Sequence, residues 1–173
     1  NLLLALTAEQ SGAILRTRCK VIELEHHKDG KLSAAITKDV TGRQERWKAK
    51  AIVNATGIHV DKIRQLADAD VSPRLITSRG IHLVLEENLC PEGMGLLIPS
   101  TNDGRVVFLL PFFGRTQVGT TDTPCGISAA QTPSKEEEEY LIGHIKEWFP
   151  RLKGPTIKST WAGGRPLIKP SEE

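Results

Sequence analysis

An arginine between two glycines and a proline is the most unusual local pattern in this sequence. Arg165 stands in WAGGRPL, residues 161–167, a segment otherwise suited to a strand. Its guanidinium offers five donors in a planar fork that matches carboxylate or phosphate oxygens. Gly163 and Gly164 remove steric bulk beside it, and Pro166 fixes the direction in which the chain leaves. An arginine in a turn is often simply solvated, so the pattern alone permits both an anion site and an exposed side chain.

A histidine in an apolar strand is the second candidate for chemistry. Alternation along SRGIHLVLE places His82 on one face with Val84, whereas Ile81, Leu83 and Leu85 share the other. A histidine can exchange protons near neutral pH. A lone histidine among apolar residues is also commonly a packed core or surface residue, and the strand pattern leaves both interpretations open.

Two further segments carry small or polar residues where a ligand could bind. VGTTDTP, residues 118–124, predicts either a turn in which Asp122 bonds its own backbone or a polar lining for a cavity. The run at residues 51–53 is typical of a strand buried on both faces of a parallel sheet. Small residues follow this run as far as Gly57. Either a cofactor approaches the carboxyl end of the predicted strand there, or a tight turn follows it.

Several common functional motifs are missing from the sequence. The 173 residues contain no dinucleotide fingerprint, Walker A loop, zinc-protease helix or serine nucleophile elbow. A net charge of +2 without a basic run argues against nucleic-acid binding. Cys19, Cys90 and Cys125 lie far apart without a C-x-x-C pair, which predicts no metal site and reduced thiols in an intracellular protein.

The elements that must position these residues differ between the two halves of the chain. Residues 2–15 predict a helix that stops at Gly12, and Asp29-Gly30 and Thr41-Gly42 predict hairpin turns. A second helix is predicted from Val60. The region between residues 58 and 71 is the one candidate domain boundary.

Beyond residue 71 the sequence predicts short strands that are separated by turns. Turn residues at 102–105 and 112–115 indicate antiparallel hairpins. One helix interrupts them, with Ser134 as its N-cap and Glu137 completing a capping box.

Taken in order, the motifs resemble those of FAD-dependent glycerol-3-phosphate dehydrogenases. They are VNATG, SRGIHLVL, MGLLIP, DGRVVFLLPFFGRTQVGTTDTP, EEEYL and WAGGRPL. The resemblance extends from the first helix to Leu167, and VNATG and the G-x-R-P pattern are shared with flavin amine oxidases of the D-amino-acid oxidase type. The sequence departs from the family at Ile58-His59, where Pro-Trp commonly follows the glycine, and we expect this to alter local packing rather than chemistry.

The resemblance implies an α/β (α+β) fold in two parts. Residues 1–70 would form the later portion of a Rossmann-like FAD-binding domain. Residues 71–173 would form a mostly antiparallel β-sheet substrate-binding domain with flanking helices. The N-terminal dinucleotide fingerprint and the residues that complete the FAD domain are absent, so we expect an internal fragment of a longer enzyme that is inactive alone.

The resemblance also implies a reaction and its residues. Hydride would pass from C2 of sn-glycerol 3-phosphate to FAD, giving dihydroxyacetone phosphate, and electrons would then pass to quinone or oxygen. Arg165 would grip the substrate phosphate, and His82 would bind substrate and accept the hydroxyl proton. The cofactor contacts implied are Val21, Ala55, Thr56 and Gly57.

Two other functions remain open at this point. A related flavin oxidase acting on an amine or hydroxy acid would use Arg165 to hold a carboxylate. A non-catalytic relative would use the β-sheet domain only for binding or assembly. The resemblance implies a cytoplasmic location with peripheral contact to the inner face of the cytoplasmic membrane, although no basic amphipathic helix here identifies an anchor. No apolar run approaches the ~18 residues that a membrane span requires.

Overall fold

The computed structural model describes residues 1–101, 103–127 and 131–169. They form a mixed α/β fold with two antiparallel sheets and few helices, which confirms the predicted fold class. The chain divides into two compact units, one of residues 1–56 with 60–73 and one of residues 57–59 with 74 onward. The division after residue 73 lies close to the boundary predicted at residue 70.

The first unit combines a three-stranded meander with two helices. The strands are antiparallel in the order β1-β2-β3, and the turns between them contain Gly30 and Gly42 at positive φ, as the two turn dipeptides predicted. Leu24 and Ala34 are its buried apolar residues. The elements are α1 Leu2–Gln10, β1 Cys19–His26, β2 Leu32–Asp39, β3 Gln44–Lys48 and α2 Val60–Ala67.

The buried parallel strand predicted at residues 51–53 is not formed. None of the described strands pairs with this segment, and Val53 is 86% exposed. A strand of a parallel sheet exists only where neighbouring strands satisfy its backbone groups. Residues 51–53 therefore have the composition of a buried strand, but no described strand pairs with them.

The second unit is built on a six-stranded antiparallel sheet and one long helix. The strand order is β5-β6-β7-β4-β8, and β9 also pairs with β4. Among the described residues, no helix of either unit is long and apolar enough to cross a membrane. The elements are a 3-10 turn Gly57–His59, β4 Leu75–Leu85, β5 Leu96–Ile98, β6 Val107–Phe112, β7 Arg115–Gly119, β8 Thr123–Cys125, α3 Lys135–Trp148 and β9 Ile157–Ile168.

The central strand β4 is paired along both edges. β9 follows one edge over the whole length of β4. The other edge is shared, because β7 pairs with residues 82–85 and β8 with residues 77–79. Residues 120–122 connect β7 to β8 and so lie opposite Gly80 and Ile81, where no strand pairing is formed on this edge.

The core of this unit lies between one face of the sheet and α3. Ile81, Leu83 and Leu85 share one face, as alternation predicted, and they are fully buried. They pack with Leu141 and Ile145 of α3 and with the buried apolar residues of β6 and β7. Burial of this apolar surface is the main source of stability for the unit.

The start of α3 confirms the predicted capping box. The Ser134 hydroxyl accepts a hydrogen bond from the Glu137 backbone N–H, and the Glu137 carboxylate accepts one from the Ser134 backbone N–H.

The turns between strands agree with the sequence where they are described. Phe113 and Gly114, both at positive φ, connect β6 to β7 as the turn at residues 112–115 predicted. β5 and β6 are antiparallel, and the Asn102 of the turn predicted at residues 102–105 lies outside the described residues.

Candidate functional site

His82 and Arg165 lie on the same face of the six-stranded sheet. Residues 81, 83 and 85 of β4 face the core, so alternation turns the even-numbered residues to the opposite side, here called the open face. Residues directly opposite in an antiparallel pair point to the same side. Three such pairs between β4 and β9 occupy the open face: Ser78–Arg165, Gly80–Gly163 and His82–Trp161.

The Arg165 guanidinium is held by the connection between β7 and β8. Its Nη2 donates to Thr120 Oγ1 at 2.8 Å and to the Thr121 carbonyl at 3.0 Å. Its Nη1 donates to Asp122 Oδ1 at 3.3 Å. Among the described residues these contacts use three of the five N–H donors, so two remain for a ligand. The side chain is 35% exposed, which allows an anion to reach it.

Gly80 provides the space in which this guanidinium lies. A Cβ at residue 80 would sit 2.2 Å from Arg165 Nη2 and 2.5 Å from Thr120 Oγ1. The glycines beside Arg165 act differently from the prediction. A Cβ at Gly163 would meet nothing within 4 Å, and one at Gly164 would approach Ile58 at 3.3 Å. The residue that makes room for Arg165 is therefore on the neighbouring strand.

The His82 ring lies between two flanking strands. It stacks on Trp161 of β9 with ring centroids 5.3 Å apart and planes 14° apart. On the other side it lies over Gly119 of β7, where a Cβ would approach the ring to 2.4 Å. Neither ring nitrogen makes a hydrogen bond with another described residue. Packing therefore fixes the ring while its nitrogens stay available to a ligand.

The surroundings of His82 favour its neutral form. Partial burial lowers the pKa of His82 below its usual value, and the nearby Arg165 charge lowers that pKa further. A neutral imidazole at working pH can accept a proton.

Asp122 contacts side chains of two strands in addition to its own turn. Its carboxylate accepts hydrogen bonds from the Ser78 hydroxyl and from Arg165. Of the two interpretations of VGTTDTP, these contacts favour the polar lining. A cavity of about 370 Å³ is lined by residues 104–106 and 120–122 together with Arg165 and Leu167.

The predicted cofactor residues lie in both units, and each is described by itself. In the first unit, Val21 belongs to β1 beside a bulge and pairs with Thr37, whereas Ala55 and Thr56 are exposed. The Asn54 carboxamide accepts from the Thr56 hydroxyl at 2.7 Å and donates to the carbonyl of residue 60 at 2.9 Å.

Gly57 starts the 3-10 turn of the second unit. It has φ +56°, and a Cβ there would meet nothing within 4 Å. In their own units, Ala55 and Thr56 thus present small exposed side chains, and Gly57 has open space where a Cβ would lie. Such positions let a large anionic cofactor approach the backbone, so these residues fit the cofactor that the resemblance implies.

The open face also fits a flat aromatic group. Strand register places Leu97, Phe108 and Leu110 on the same side as His82. These three side chains and Trp161 are each more than a third exposed. Apolar side chains in one exposed layer lose contact with water when a planar ring covers them.

Sequence reasoning missed three residues that shape the site. Gly80 and Gly119 are isolated glycines within strands, a signal for close approach of another group. Trp161 carries no comparable signal, because its role depends on the register that pairs it with His82.

The whole chain, residues 1–173, matches the family model described as FAD dependent oxidoreductase. It is 38% identical over 170 residues to the mitochondrial glycerol-3-phosphate dehydrogenase SDP6 of Arabidopsis thaliana, which covers 96% of this chain and 27% of that protein.

Solved structures show the same similarity. The glycerol-3-phosphate dehydrogenase of Bacillus halodurans, complexed with FAD, superposes with a TM-score of 0.83 at 31% identity, over 94% of this chain and 33% of that one. The L-alpha-glycerophosphate oxidase of Mycoplasma pneumoniae, with FAD bound, superposes with a TM-score of 0.77 at 25% identity, over 96% of this chain and 43% of that one. The chain thus spans about a quarter of the Arabidopsis relative and a third of the Bacillus protein.

Proposed function

Because the chain belongs to the family of FAD-dependent oxidoreductases, we propose that the full-length protein carrying it oxidises sn-glycerol 3-phosphate to dihydroxyacetone phosphate. The observation that carries the proposal is the arrangement of Arg165 and His82 on one open face, with the arginine held by polar contacts and the pKa of His82 lowered. The similarity to glycerol-3-phosphate dehydrogenases at 31–38% identity supports this choice of substrate.

Arg165 binds the phosphate in this proposal. Two of its N–H donors are left by Thr120, Thr121 and Asp122, and charge-assisted bonds from guanidinium to phosphate are strong. Held in this way, the phosphate orients the adjacent carbon chain over the open face. Fixing one end of a small substrate lowers the entropic cost of aligning the other end for reaction.

His82 accepts the proton of the hydroxyl group on C2. FAD, when bound, would supply the acceptor for the hydride that leaves C2 itself. One proton and one hydride leave, and the alcohol becomes a ketone, so the step is balanced. The lowered pKa keeps the His82 ring ready to accept a proton, and stacking on Trp161 holds the ring in place.

The remaining assignments follow from the same proposal. Residues 1–70 are the later portion of the FAD domain, in which Val21, Ala55 and Thr56 contact the cofactor together with Gly57. Residues 71–173 are the substrate domain. The chain alone is inactive and does not retain FAD, because it spans only about a quarter to a third of its relatives.

The electron acceptor in this proposal is a quinone. The similarity to proteins named dehydrogenases favours quinone over oxygen, although one similar structure is an oxidase. Transfer to quinone implies peripheral contact of the full-length protein with the cytoplasmic side of the membrane. Comparing flavin reoxidation by a soluble quinone and by oxygen tests this part separately.

The test of the proposed substrate uses the full-length flavoprotein. We expect kcat/KM for sn-glycerol 3-phosphate to exceed that for glycerol by orders of magnitude, and Arg165→Lys to raise the KM for the phosphate ester because the fork is lost. Equal activity on glycerol, or a preference for amino acids, would overturn the proposal. An unchanged KM in Arg165→Lys would remove the phosphate assignment.

A further inference from the structure

A largely buried ion pair lies on the helix side of β4, the strand over which the Arg165 guanidinium lies. Arg79 precedes Gly80 in β4, and its side chain points to the helix side of the sheet. There Arg79 Nη2 lies 2.8 Å from Glu137 Oε2, and Arg79 Nε donates to Glu137 Oε1 at 3.2 Å. The two side chains are 20% and 6% exposed. This pair thus joins the first turn of α3 to the central strand.

Glu137 makes more contacts than its helix cap requires. The cap uses the bond from the Ser134 backbone N–H at 3.0 Å. The carboxylate also accepts both Arg79 bonds and one from Thr121 Oγ1 at 3.2 Å. Burial, the largest single effect, acts to raise the pKa of Glu137, but the hydrogen bonds from Ser134, Arg79 and Thr123, together with the Arg79 charge, outweigh it and leave that pKa below its usual value. The group is therefore ionised at neutral pH.

Thr121 connects this carboxylate to the open face. Its hydroxyl donates to Glu137 and accepts from the Ile81 backbone N–H at 3.1 Å. This bond replaces the strand pairing that β4 lacks opposite residues 120–122. The Thr121 carbonyl accepts from Arg165 Nη2 at 3.0 Å. One residue, itself fully buried, thus contacts the helix, the strand and the guanidinium.

We infer that Glu137 and Thr121 are positioning residues for the phosphate-binding arginine. The Glu137 carboxylate accepts the hydrogen bond of the Thr121 hydroxyl and so fixes this residue. The Thr121 carbonyl is thereby held where it accepts the hydrogen bond from Arg165 Nη2. The guanidinium so held directs its remaining donors toward the ligand. This inference rests on the proposed function, because it assigns the phosphate to Arg165.

Energetics support positioning over a purely structural contribution. Buried ion pairs contribute little net stability, since the cost of removing both charges from water offsets their attraction. A cap alone would be satisfied by Ser134. The additional bonds to Arg79 and Thr121 are directional and connect two faces of the sheet, which is the property that orients a distant group.

The test removes the Thr121 hydroxyl without changing the shape of the side chain. In the full-length flavoprotein, Thr121→Val should raise both the KM for sn-glycerol 3-phosphate and the inhibition constant of inorganic phosphate about tenfold. The kcat value should change by no more than about twofold, because His82 is untouched. Thr121→Ser, which retains the hydroxyl, should restore both constants to within about twofold of the wild type.

The matched control is Thr116→Val. Thr116 is also a buried threonine of the same sheet whose hydroxyl accepts a backbone N–H, from Leu89 at 2.7 Å. It lies in β7 and does not contact Arg165. This variant should lower thermal stability to a similar extent and leave the KM and the phosphate inhibition constant unchanged. In an Arg165→Lys background, Thr121→Val should add less than about a twofold change.

The possible results separate the two proposals. If Arg165→Lys leaves the KM unchanged, the phosphate assignment fails. If Arg165→Lys raises the KM but Thr121→Val does not, only the positioning inference fails. If Thr121→Val loses its flavin absorbance, the KM and the phosphate inhibition constant are measured in Glu137→Gln instead. An unchanged phosphate inhibition constant in Glu137→Gln would refute the inference.

Discussion

Replacing Gly80 by alanine tests whether the space above β4 determines where the Arg165 guanidinium lies. The new Cβ would sit 2.2 Å from Nη2 and 2.7 Å from Cζ of Arg165. Carbon and nitrogen atoms that are not bonded require about 3.4 Å, so the guanidinium must move by roughly 1.2 Å. Gly80 does not adopt a left-handed conformation, so alanine adds no backbone strain and the effect is purely steric.

A displacement of this size has a large expected effect on the reaction. Misplacing a binding group by about 1 Å can cost around 100-fold, which corresponds to about 2.7 kcal/mol of transition-state stabilisation. In the proposed function Arg165 binds the phosphate before and during reaction, so the loss should fall mainly on the KM for sn-glycerol 3-phosphate and on inhibition by inorganic phosphate. The kcat value should change much less.

The assay is steady-state kinetics of the full-length flavoprotein at matched flavin content. Gly143→Ala is the control, because Gly143 is exposed in α3 and a Cβ there would meet nothing within 4 Å. It should retain wild-type constants. A Gly80→Ala variant that keeps its flavin and shows a KM within about twofold of the wild type would refute the steric argument.

Four further predictions concern other residues of this unit. Gly119→Ala should lower kcat by about tenfold or more and leave phosphate inhibition unchanged, because the new Cβ would lie 2.4 Å from the His82 ring; an unchanged kcat would contradict this. The lowered pKa of His82 should place its NMR titration midpoint below 6.5, and Arg165→Met should move the midpoint upward by removing the nearby charge. Since the unfolded chain binds this proton more readily, the His82 contribution to the unfolding free energy should be present above pH 6.5 and lost as pH falls below it. Ser134→Ala should lower the unfolding free energy by about 1 kcal/mol in denaturant titrations, whereas Thr132→Ala, at an exposed residue before the same helix, should not.

Local rules of sequence predicted much of the fold. Alternation placed Ile81, Leu83 and Leu85 on one face of β4, and all three are fully buried there. The capping box at Ser134 and the turn at Phe113-Gly114 depend on neighbours a few residues apart, and both are formed. These features are predictable because their causes lie within one short segment.

Features that depend on distant partners were not predictable in the same way. The apolar run at residues 51–53 has the composition of a buried strand, but none of the described strands pairs with it. The contact between Asp122 and Arg165 joins residues 43 positions apart, so the pattern around Asp122 left a turn and a cavity lining equally open. The role of Gly80 follows from strand register, which a single sequence does not reveal.

In the proposed function, the regular rise of β4 would set the distance between the two groups that contact the substrate. The guanidinium lies over Gly80 and the imidazole belongs to His82, two residues farther along the same face. Two residues of an antiparallel strand span about 6.8 Å, and pairing with β9 along the whole of β4 keeps that spacing from stretching. A phosphate ester with one methylene between its ester oxygen and the reacting carbon suits this interval, and each added methylene would have to fold back or give up a contact. The protein would therefore select among phosphate esters by the length of their carbon chain. The spacing of residues along the β4 backbone, rather than the walls of a pocket, would determine the preferred length.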